Sequence, residues 1–198
     1  MRPRLERGLI EVYTGKTKGK TTAALGLALR AVGHDFRVLM ISFMKGAGYT
    51  GELFSSQRLH TNFRIMQFGR GCPYSAMIKE GKMKCKPACR LCFIHRGNVT
   101  EQDRETQRMA LAAARESIEG DEYDIVILDE ILNAIDYGLV DLEETLELLK
   151  RKPPLVEVVL TGRQAPSAIV EVAHLVTEMV QIKHPLEQGI RSRRGIEY

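Results

Sequence analysis

A chain of 198 residues is long enough to bury a sizeable core in one domain, and 44% apolar with 27% charged residues is a globular composition. No apolar run approaches the roughly 20 residues that span a bilayer, and no signal-type apolar segment follows Met1, so we expect a cytoplasmic protein without a membrane partner. The net charge of +4 suits a phosphate-rich small ligand, whereas no stripe of aromatic and basic residues favours a nucleic-acid partner.

Apolar strands alternate with amphipathic helices along most of the chain. Strands are predicted, in chain order, at residues 9–13, 37–43, 63–68, 124–129, 156–161 and 175–182. Helices are predicted at 21–30, at 101–119 behind an N-cap at Thr100, at 141–150, and from about 167. This alternation favours an α/β fold with a parallel sheet covered by helices on both faces. In residues 70–97 the apolar residues follow neither the helical nor the strand period. This segment is interpreted as an insertion within a single domain, 1–198.

A glycine- and lysine-rich loop, GKTKGKTT at residues 15–22, follows the first strand and opens the first helix. It resembles the phosphate-binding pattern G-x-x-x-x-G-K-[ST], but three residues rather than four separate Gly15 from Gly19. Backbone N–H groups and the positive end of a helix dipole face an anion there. Lys20 can reach phosphate oxygens and the Thr21 hydroxyl can bind Mg²⁺. The loop therefore predicts a nucleotide site, with a basic turn that only caps the helix as the alternative.

Two further groups are predicted at the same edge of the sheet. An acidic pair, Asp129 and Glu130, stands at the carboxyl end of a buried strand, where such sheets bind ligands. A carboxylate opposite Thr21 can hold Mg²⁺ directly or through water. Arg163 follows another strand, and its planar guanidinium suits phosphate, although a simple surface arginine is the alternative. These residues indicate a magnesium-nucleotide P-loop protein and leave kinase, ATPase and transferase open.

Segments beyond the loop resemble the P-loop type of ATP:corrinoid adenosyltransferases. The decapeptide GKTKGKTTAA matches the short loop of that family, and the similarity continues in order through LRAVGH, VLMISFMKG, VILDEI, VVLTGRQAP, IKHPLEQGI and the terminal GIEY. It covers nearly the whole chain apart from residues 70–97. The resemblance implies a P-loop NTPase-like (RecA-like) fold, a homodimer and an electron-donor protein as partner.

The resemblance also implies the reaction and the site. In that family a reduced Co(I) corrinoid, cobalamin or a precursor, attacks C5′ of the ATP ribose and expels intact triphosphate, in adenosylcobalamin synthesis or salvage. Lys20, Thr21 and Glu130 are then the catalytic residues, and Thr21 and Glu130 bind Mg²⁺. The implied ATP-binding residues are Gly15, Lys16, Thr17, Lys18, Gly19, Lys20, Thr21, Thr22, Arg30 and Arg163. The helical pattern alone would place Arg30 in solvent.

The chain departs from the family pattern where the corrinoid is bound. Only eight residues precede the first predicted strand, whereas many members have a helix there that covers the corrinoid. The usual GFTW-like loop, with aromatics against the corrinoid, is replaced by residues 69–72, and the chain has no tryptophan. Tyr74 and Phe93 are candidate replacements, and the corrinoid-binding residues stay unassigned. The alternatives are therefore an ATPase or kinase without corrinoid chemistry and a non-enzymatic adenosylcobalamin carrier.

Four cysteines fall within the proposed insertion: Cys72, Cys85, Cys89 and Cys92. In a cytoplasmic chain such a cluster favours metal or redox chemistry over a disulfide framework. We expect the four thiolates to bind a structural metal that orders this long segment, Zn²⁺ in preference to an iron–sulfur cluster. Four free thiols are the alternative. The spacing C-x₃-C-x₂-C also matches radical S-adenosylmethionine enzymes, but those are built on a β/α barrel.

Overall fold

The protein forms a six-stranded sheet in the part of the chain that the structure, a computed structural model, describes: residues 3–46, 50–59, 61–84, 89, 91–190 and 192–197. The strands are β1 (Ile10–Thr14), β2 (Val38–Phe43), β3 (Phe63–Phe68), β4 (Ile125–Asp129), β5 (Glu157–Thr161) and β6 (Leu175–Glu178). Their order is β3-β2-β4-β5-β1-β6, and every pair is parallel. The predicted α/β P-loop NTPase-like fold is confirmed.

Helices connect these strands. They are α1 (Lys20–Val32), α2 (Gly51–Arg58), α3 (Ser75–Lys79), α4 (Glu101–Glu119), α5 (Ile131–Asp136), α6 (Leu142–Lys150) and α7 (Ser167–Val172), with a 3₁₀ helix at Pro185–Gln188. The sequence predicted α1, α4, α6 and α7, and it missed the others. Helices α2, α3 and α5 have eight or fewer residues, too few turns to display a helical period.

The sheet carries a separate apolar core on each face, because successive side chains of a strand point to opposite sides. On one face, Ala24 and Ala28 of α1 pack with Met40 of β2 and Ile127 of β4. The opposite core is larger and is covered by the helices that follow β3, β4 and β5. Small alanines bring α1 close to the sheet, which fixes the start of that helix against the end of β1.

The predicted cap of α4 is present. The Thr100 Oγ1 accepts a hydrogen bond from the Asp103 N–H at 3.3 Å, and the Asp103 carboxylate accepts one from the Thr100 N–H at 2.8 Å. Arg70, just after β3, also donates to Asp103, at 2.9 Å. This ion pair holds the chain leaving β3 against the first turn of α4.

The last strand is shorter than predicted, ending at Glu178 rather than at residue 182. The Met179 N–H still donates to the Thr14 carbonyl at 2.8 Å, after which the chain leaves the sheet. All of β6 is exposed because it is an edge strand. In the described part of the chain, none of the helices combines the length and apolar character needed to cross a bilayer.

Candidate nucleotide-binding site

The loop after β1 depends on two glycines in the left-handed region. Gly15 has φ +119° and Gly19 has φ +112°, conformations that side chains rarely tolerate. A Cβ on Gly15 would lie 2.3 Å from the Met179 carbonyl oxygen, so the loop passes directly beneath the chain that leaves β6. The Gly15 N–H donates to the Arg163 carbonyl at 3.3 Å. The loop is thereby attached to the segments that follow β5 and β6.

Lys20 begins α1 and folds back into this loop. Its ammonium donates to the carbonyl oxygens of Gly15 at 2.7 Å and Thr17 at 2.5 Å, and the residue is buried. Burial lowers the pKa of Lys20, although the carboxylate of Glu130 acts in the opposite direction. The ammonium is therefore held by two carbonyl oxygens of the loop.

Asp129 is the carboxylate that contacts the start of α1. The Thr21 Oγ1 donates to Asp129 Oδ1 at 2.8 Å, and Thr161 Oγ1, from the end of β5, donates to the same oxygen at 2.8 Å. Asp129 is fully buried. Sequence reasoning identified the acidic pair, and the family resemblance implied Thr21 and Glu130 as Mg²⁺ ligands. The hydroxyl of Thr21 contacts Asp129, the last residue of β4.

Glu130 follows Asp129, and hydrogen bonds hold both its backbone and its side chain. Its backbone is left-handed, with φ +63°, and its N–H donates to Thr161 Oγ1 at 2.9 Å. Its carboxylate accepts from the Asn133 side-chain amide, whose own oxygen accepts from the Arg163 N–H at 2.7 Å. Burial raises the pKa of Glu130, while the ammonium of Lys45 opposes that shift. Asn133 thus links Glu130 to the Arg163 segment, a role that the sequence did not indicate.

Lys45 completes the cluster and was missed by the sequence analysis. Its ammonium donates to Asp129 Oδ2 at 2.6 Å and lies 3.8 Å from Glu130 Oε1. Although burial lowers the pKa of Lys45, the carboxylates of Asp129 and Glu130 outweigh it, and the pKa is raised. Lys45 follows β2 at the carboxyl edge of the sheet. Ligands bind at the carboxyl ends of the strands in such sheets. This rule identified Asp129 and Arg163 and applies equally to Lys45.

A cavity of about 830 Å³ opens above these groups. Its polar lining includes residues 16–22 with Lys45, Glu130 and Arg163, and its apolar lining includes Leu25, Leu29, Leu59 and Phe63. Most of the predicted ATP-binding residues are therefore brought together. Gly15 is not among the described residues that line the cavity. Arg30, exposed on the last turn of α1, is not among the described residues that line the cavity.

The end of the described chain reaches the same cavity. Glu197 accepts from the Lys18 ammonium at 2.7 Å and from the Arg193 N–H at 2.6 Å. Hydrogen bonding from Arg193, and then from Lys18, lowers the pKa of Glu197 from 4.5 to about 2. Gly195 and Ile196 line the cavity as well. The GIEY segment, which generic P-loop physics does not explain, thus contacts the phosphate-binding loop.

The cysteine-rich region contributes less to this site. Cys72, Cys89 and Cys92 are half-buried, whereas Cys85 lies outside the described residues. Among the described residues, no three His, Cys, Asp or Glu side chains form a group able to hold a metal ion. Tyr74 and Phe93 are 43% and 64% exposed, and neither is among the described residues that line the cavity. The metal and corrinoid predictions for this region stay predictions.

A short glycine loop, a buried lysine, and a threonine–carboxylate pair at the carboxyl edge of a parallel sheet define a P-loop nucleotide-binding protein. The family model for ATP:corrinoid adenosyltransferase BtuR/CobO/CobP matches residues 6–198. The chain belongs to this family. That result confirms the resemblance inferred from the sequence.

Individual relatives agree with the family match. The chain is 36% identical over 194 residues to a corrinoid adenosyltransferase from Sinorhizobium sp, covering 98% of this chain and 81% of the relative. It is 32% identical over 193 residues to the corrinoid adenosyltransferase of Escherichia coli K12, covering 98% and 87%. It is 31% identical over 193 residues to the corrinoid adenosyltransferase CobA of Salmonella typhimurium, again covering 98% and 87%. The similarity therefore extends over the full site.

Proposed function

We propose that this protein transfers the 5′-deoxyadenosyl group of ATP to the cobalt of a reduced corrinoid and releases triphosphate. The observation that carries the proposal is the family match over residues 6–198, which includes the short phosphate-binding loop. The relatives are named corrinoid adenosyltransferases, and the family description adds ATP as the other substrate. The cavity beside that loop has both polar and apolar lining residues, which suits a nucleotide with a charged triphosphate and an apolar base.

The reaction requires alignment and charge stabilisation rather than proton transfer. The electron pair of Co(I) forms the cobalt–carbon bond to C5′, and cobalt becomes formally Co(III). The C5′–O bond breaks and its electron pair stays on the triphosphate. Because no proton moves, no general base is needed. Preorganised positive groups at the leaving triphosphate are the main contribution the protein can make.

Lys20 is the residue best placed for that contribution. Its ammonium sits among loop carbonyls at 2.7 and 2.5 Å, in a buried position where electrostatic interactions are stronger than in water. The loop N–H groups and the Arg163 guanidinium are proposed to hold the remaining phosphate oxygens. We assign Arg30 to the nucleotide by family resemblance only, since it lies on the exposed last turn of α1.

Mg²⁺ fits the cluster formed by Thr21, Asp129 and Glu130. These residues offer the hard oxygen ligands that Mg²⁺ prefers, and Asp129 already accepts a cation, the Lys45 ammonium, at 2.6 Å. Bound there, Mg²⁺ would offset charge on the triphosphate. Thr21 and the two carboxylates would hold it, with Thr161 orienting Asp129 through its hydroxyl. The proposed set of Mg²⁺ ligands therefore includes Asp129 in addition to Thr21 and Glu130, which the family resemblance implied.

We further propose a homodimer, an electron-donor protein and a structural metal at the cysteines, on the basis of the resemblance and the cysteine spacing. Zinc is favoured over an iron–sulfur cluster, since four thiolates around tetrahedral Zn²⁺ form a closed structural site that would order this long segment. Elemental analysis of protein purified without oxygen tests the metal. About one zinc per chain supports the site, iron with sulfide supports the cluster, and four titratable thiols without metal contradict both.

Product analysis tests the proposed function. Incubation with MgATP and chemically reduced corrinoid should yield a cobalt–carbon bond, detected by its photolabile absorption spectrum, and free triphosphate in equal amount. ADP and phosphate without alkylated corrinoid would identify an ATPase. Tight corrinoid binding without turnover would identify a carrier. A control with Lys20→Ala should bind less ATP and form little of either product.

A further inference from the structure

The backbone that carries Lys45 is fixed by packing. Met44 has φ +58°, a left-handed conformation unusual for a residue with a side chain. Its N–H donates to Gln107 Oε1 at 3.0 Å, and the buried Gln107 amide donates to the Phe68 carbonyl at 3.1 Å. A Cβ on Gly69 would lie 2.5 Å from the Met44 carbonyl carbon. Helix α4 and the end of β3 therefore hold this turn so that Lys45 enters the site.

The Lys45 ammonium contacts all three groups proposed to bind Mg²⁺. It lies 2.6 Å from Asp129 Oδ2, 3.4 Å from Thr21 Oγ1 and 3.8 Å from Glu130 Oε1. Magnesium binds oxygen at about 2.0–2.1 Å. A metal ion on the Asp129 carboxylate would stand within a few ångströms of the Lys45 ammonium, so the two cations would repel each other and compete for that carboxylate.

We propose that Lys45 is a tethered cation that Mg²⁺ must displace from Asp129, and that the displaced ammonium then binds the triphosphate. This inference rests on the proposed function, since it takes the metal site to be Thr21, Asp129 and Glu130. The Lys45 side chain has room to move, because 38% of it is exposed and it lines the cavity beside Lys20 and Arg163. Once displaced from the carboxylates, the ammonium can bind the triphosphate of ATP, which carries concentrated negative charge.

The exchange couples metal binding to nucleotide binding. Without ATP, Mg²⁺ has to displace the Lys45 ammonium from Asp129, and the displaced ammonium gains no new partner. Mg²⁺ alone therefore binds weakly. Metal with ATP expels the same cation into contact with phosphate oxygens, so it binds more tightly. By linkage, each ligand strengthens the other by the same factor. The protein would thus avoid holding Mg²⁺ before its nucleotide arrives.

Mn²⁺ binding, followed by the electron paramagnetic resonance signal of free Mn²⁺, tests this exchange without turnover. Without ATP, Lys45→Met should bind Mn²⁺ at least about tenfold more tightly than wild type, because a positive charge within a few ångströms is removed. Lys45→Arg keeps the charge and should resemble wild type. Lys150→Met, which removes an exposed charge at the end of α6, outside the cavity lining, should change Mn²⁺ affinity by less than about threefold.

ATP supplies the second half of the test. It should increase Mn²⁺ affinity steeply in wild type and much less in Lys45→Met. Equal Mn²⁺ affinities of wild type and Lys45→Met without ATP would overturn the inference. If Lys45→Met does not fold, Lys45→Gln replaces it, since the amide can still donate to Asp129 without a charge.

One comparison separates this inference from the proposed metal site. Asp129→Asn and Glu130→Gln should both weaken Mn²⁺ binding in the presence of ATP. If both variants bind Mn²⁺ as wild type does, the metal lies elsewhere and the metal site falls together with the inference. If both lose Mn²⁺ while Lys45→Met matches wild type, the metal site stands and only the role of Lys45 is wrong.

Discussion

A hydrogen bond of 2.8 Å joins Thr21 to Asp129, 108 residues apart in the chain, with the threonine Oγ1 donating to the aspartate Oδ1. Thr21 lies in the first turn of α1, and Asp129 ends β4. Strand β5 separates β4 from β1 in the sheet, and its last residue, Thr161, donates to the same carboxylate oxygen. Three distant segments are therefore aligned on one buried atom, which belongs to the proposed metal site and contacts the helix that the phosphate loop opens.

Removing the Lys20 ammonium should reduce turnover by two or more orders of magnitude. Loss of one preorganised electrostatic contact to developing charge typically costs roughly 3–4 kcal/mol of barrier. Lys20→Ala is compared with Lys150→Ala, which removes an exposed lysine from the end of α6. Single-turnover rates of cobalt–carbon bond formation are the measurement. Near-normal rates in Lys20→Ala would contradict its role at the leaving triphosphate.

Neutralising either member of the acidic pair should raise the Mg²⁺ concentration needed for activity. Asp129→Asn should be the more damaging, because the buried Asp129 accepts hydrogen bonds from Thr21 and Thr161. Excess Mg²⁺ should restore part of the activity in Glu130→Gln. Activity is titrated with Mg²⁺ at saturating ATP, and the exposed Glu143→Gln on α6 serves as control. An unchanged Mg²⁺ requirement in both variants would show that neither carboxylate binds the metal.

Two glycine-to-alanine changes should have opposite effects. Gly15→Ala places a methyl group 2.3 Å from the Met179 carbonyl at φ +119°, and should destabilise the protein and abolish ATP binding. Gly26→Ala lies inside α1, where the added methyl group would meet no other part of the protein within 4 Å beyond its chain neighbours and the backbone of the helix itself, and should stabilise the protein by about 0.5–1 kcal/mol through higher helix propensity. Urea unfolding and ATP binding are measured for both. Tight ATP binding by Gly15→Ala would mean that the loop does not need this conformation.

The contact between Glu197 and the loop should depend on pH. Since folding lowers the pKa of Glu197 from 4.5 to about 2, its stabilising effect is complete above pH 4.5 and is lost as the pH falls towards 2. Glu197→Gln should therefore have a lower melting temperature than wild type at pH 6. The difference in melting temperature should shrink as the pH is lowered to 3. Glu171→Gln, at an exposed position of α7, should show no such trend. A constant melting difference across this range would argue against the ion pair.

The sequence predicted the fold well because its signals are local. Strand β3 was placed at its observed bounds, and α4 also matched, since Thr100 and the following turn specify its start. The same reasoning extended β6 to residue 182, because apolar residues continue past Glu178. The Met179 carbonyl accepts from Thr17 at 3.2 Å, so that stretch crosses the loop instead of continuing the sheet. Local pattern cannot report such a tertiary contact.

The site was predicted less completely, for a similar reason. Spacing identified the loop and the acidic pair, but it could not decide whether Asp129 or Glu130 faces Thr21. The backbone at Glu130 is left-handed, and its N–H is held by Thr161 from the end of β5, a contact that the local pattern does not report. Lys45 was recognisable by its position after β2. Its contact with Asp129 becomes evident only once β2 and β4 are known to be neighbours.

The Lys18–Glu197 ion pair has a practical consequence for handling the protein. A bulky label attached near Glu197 would lie beside the phosphate-binding loop, where it would obstruct nucleotide entry. Arg4 lies at the opposite edge of the sheet, since it contacts Asp124, which precedes β4. Surface attachment and fluorescent labels therefore belong near Arg4 rather than near Glu197.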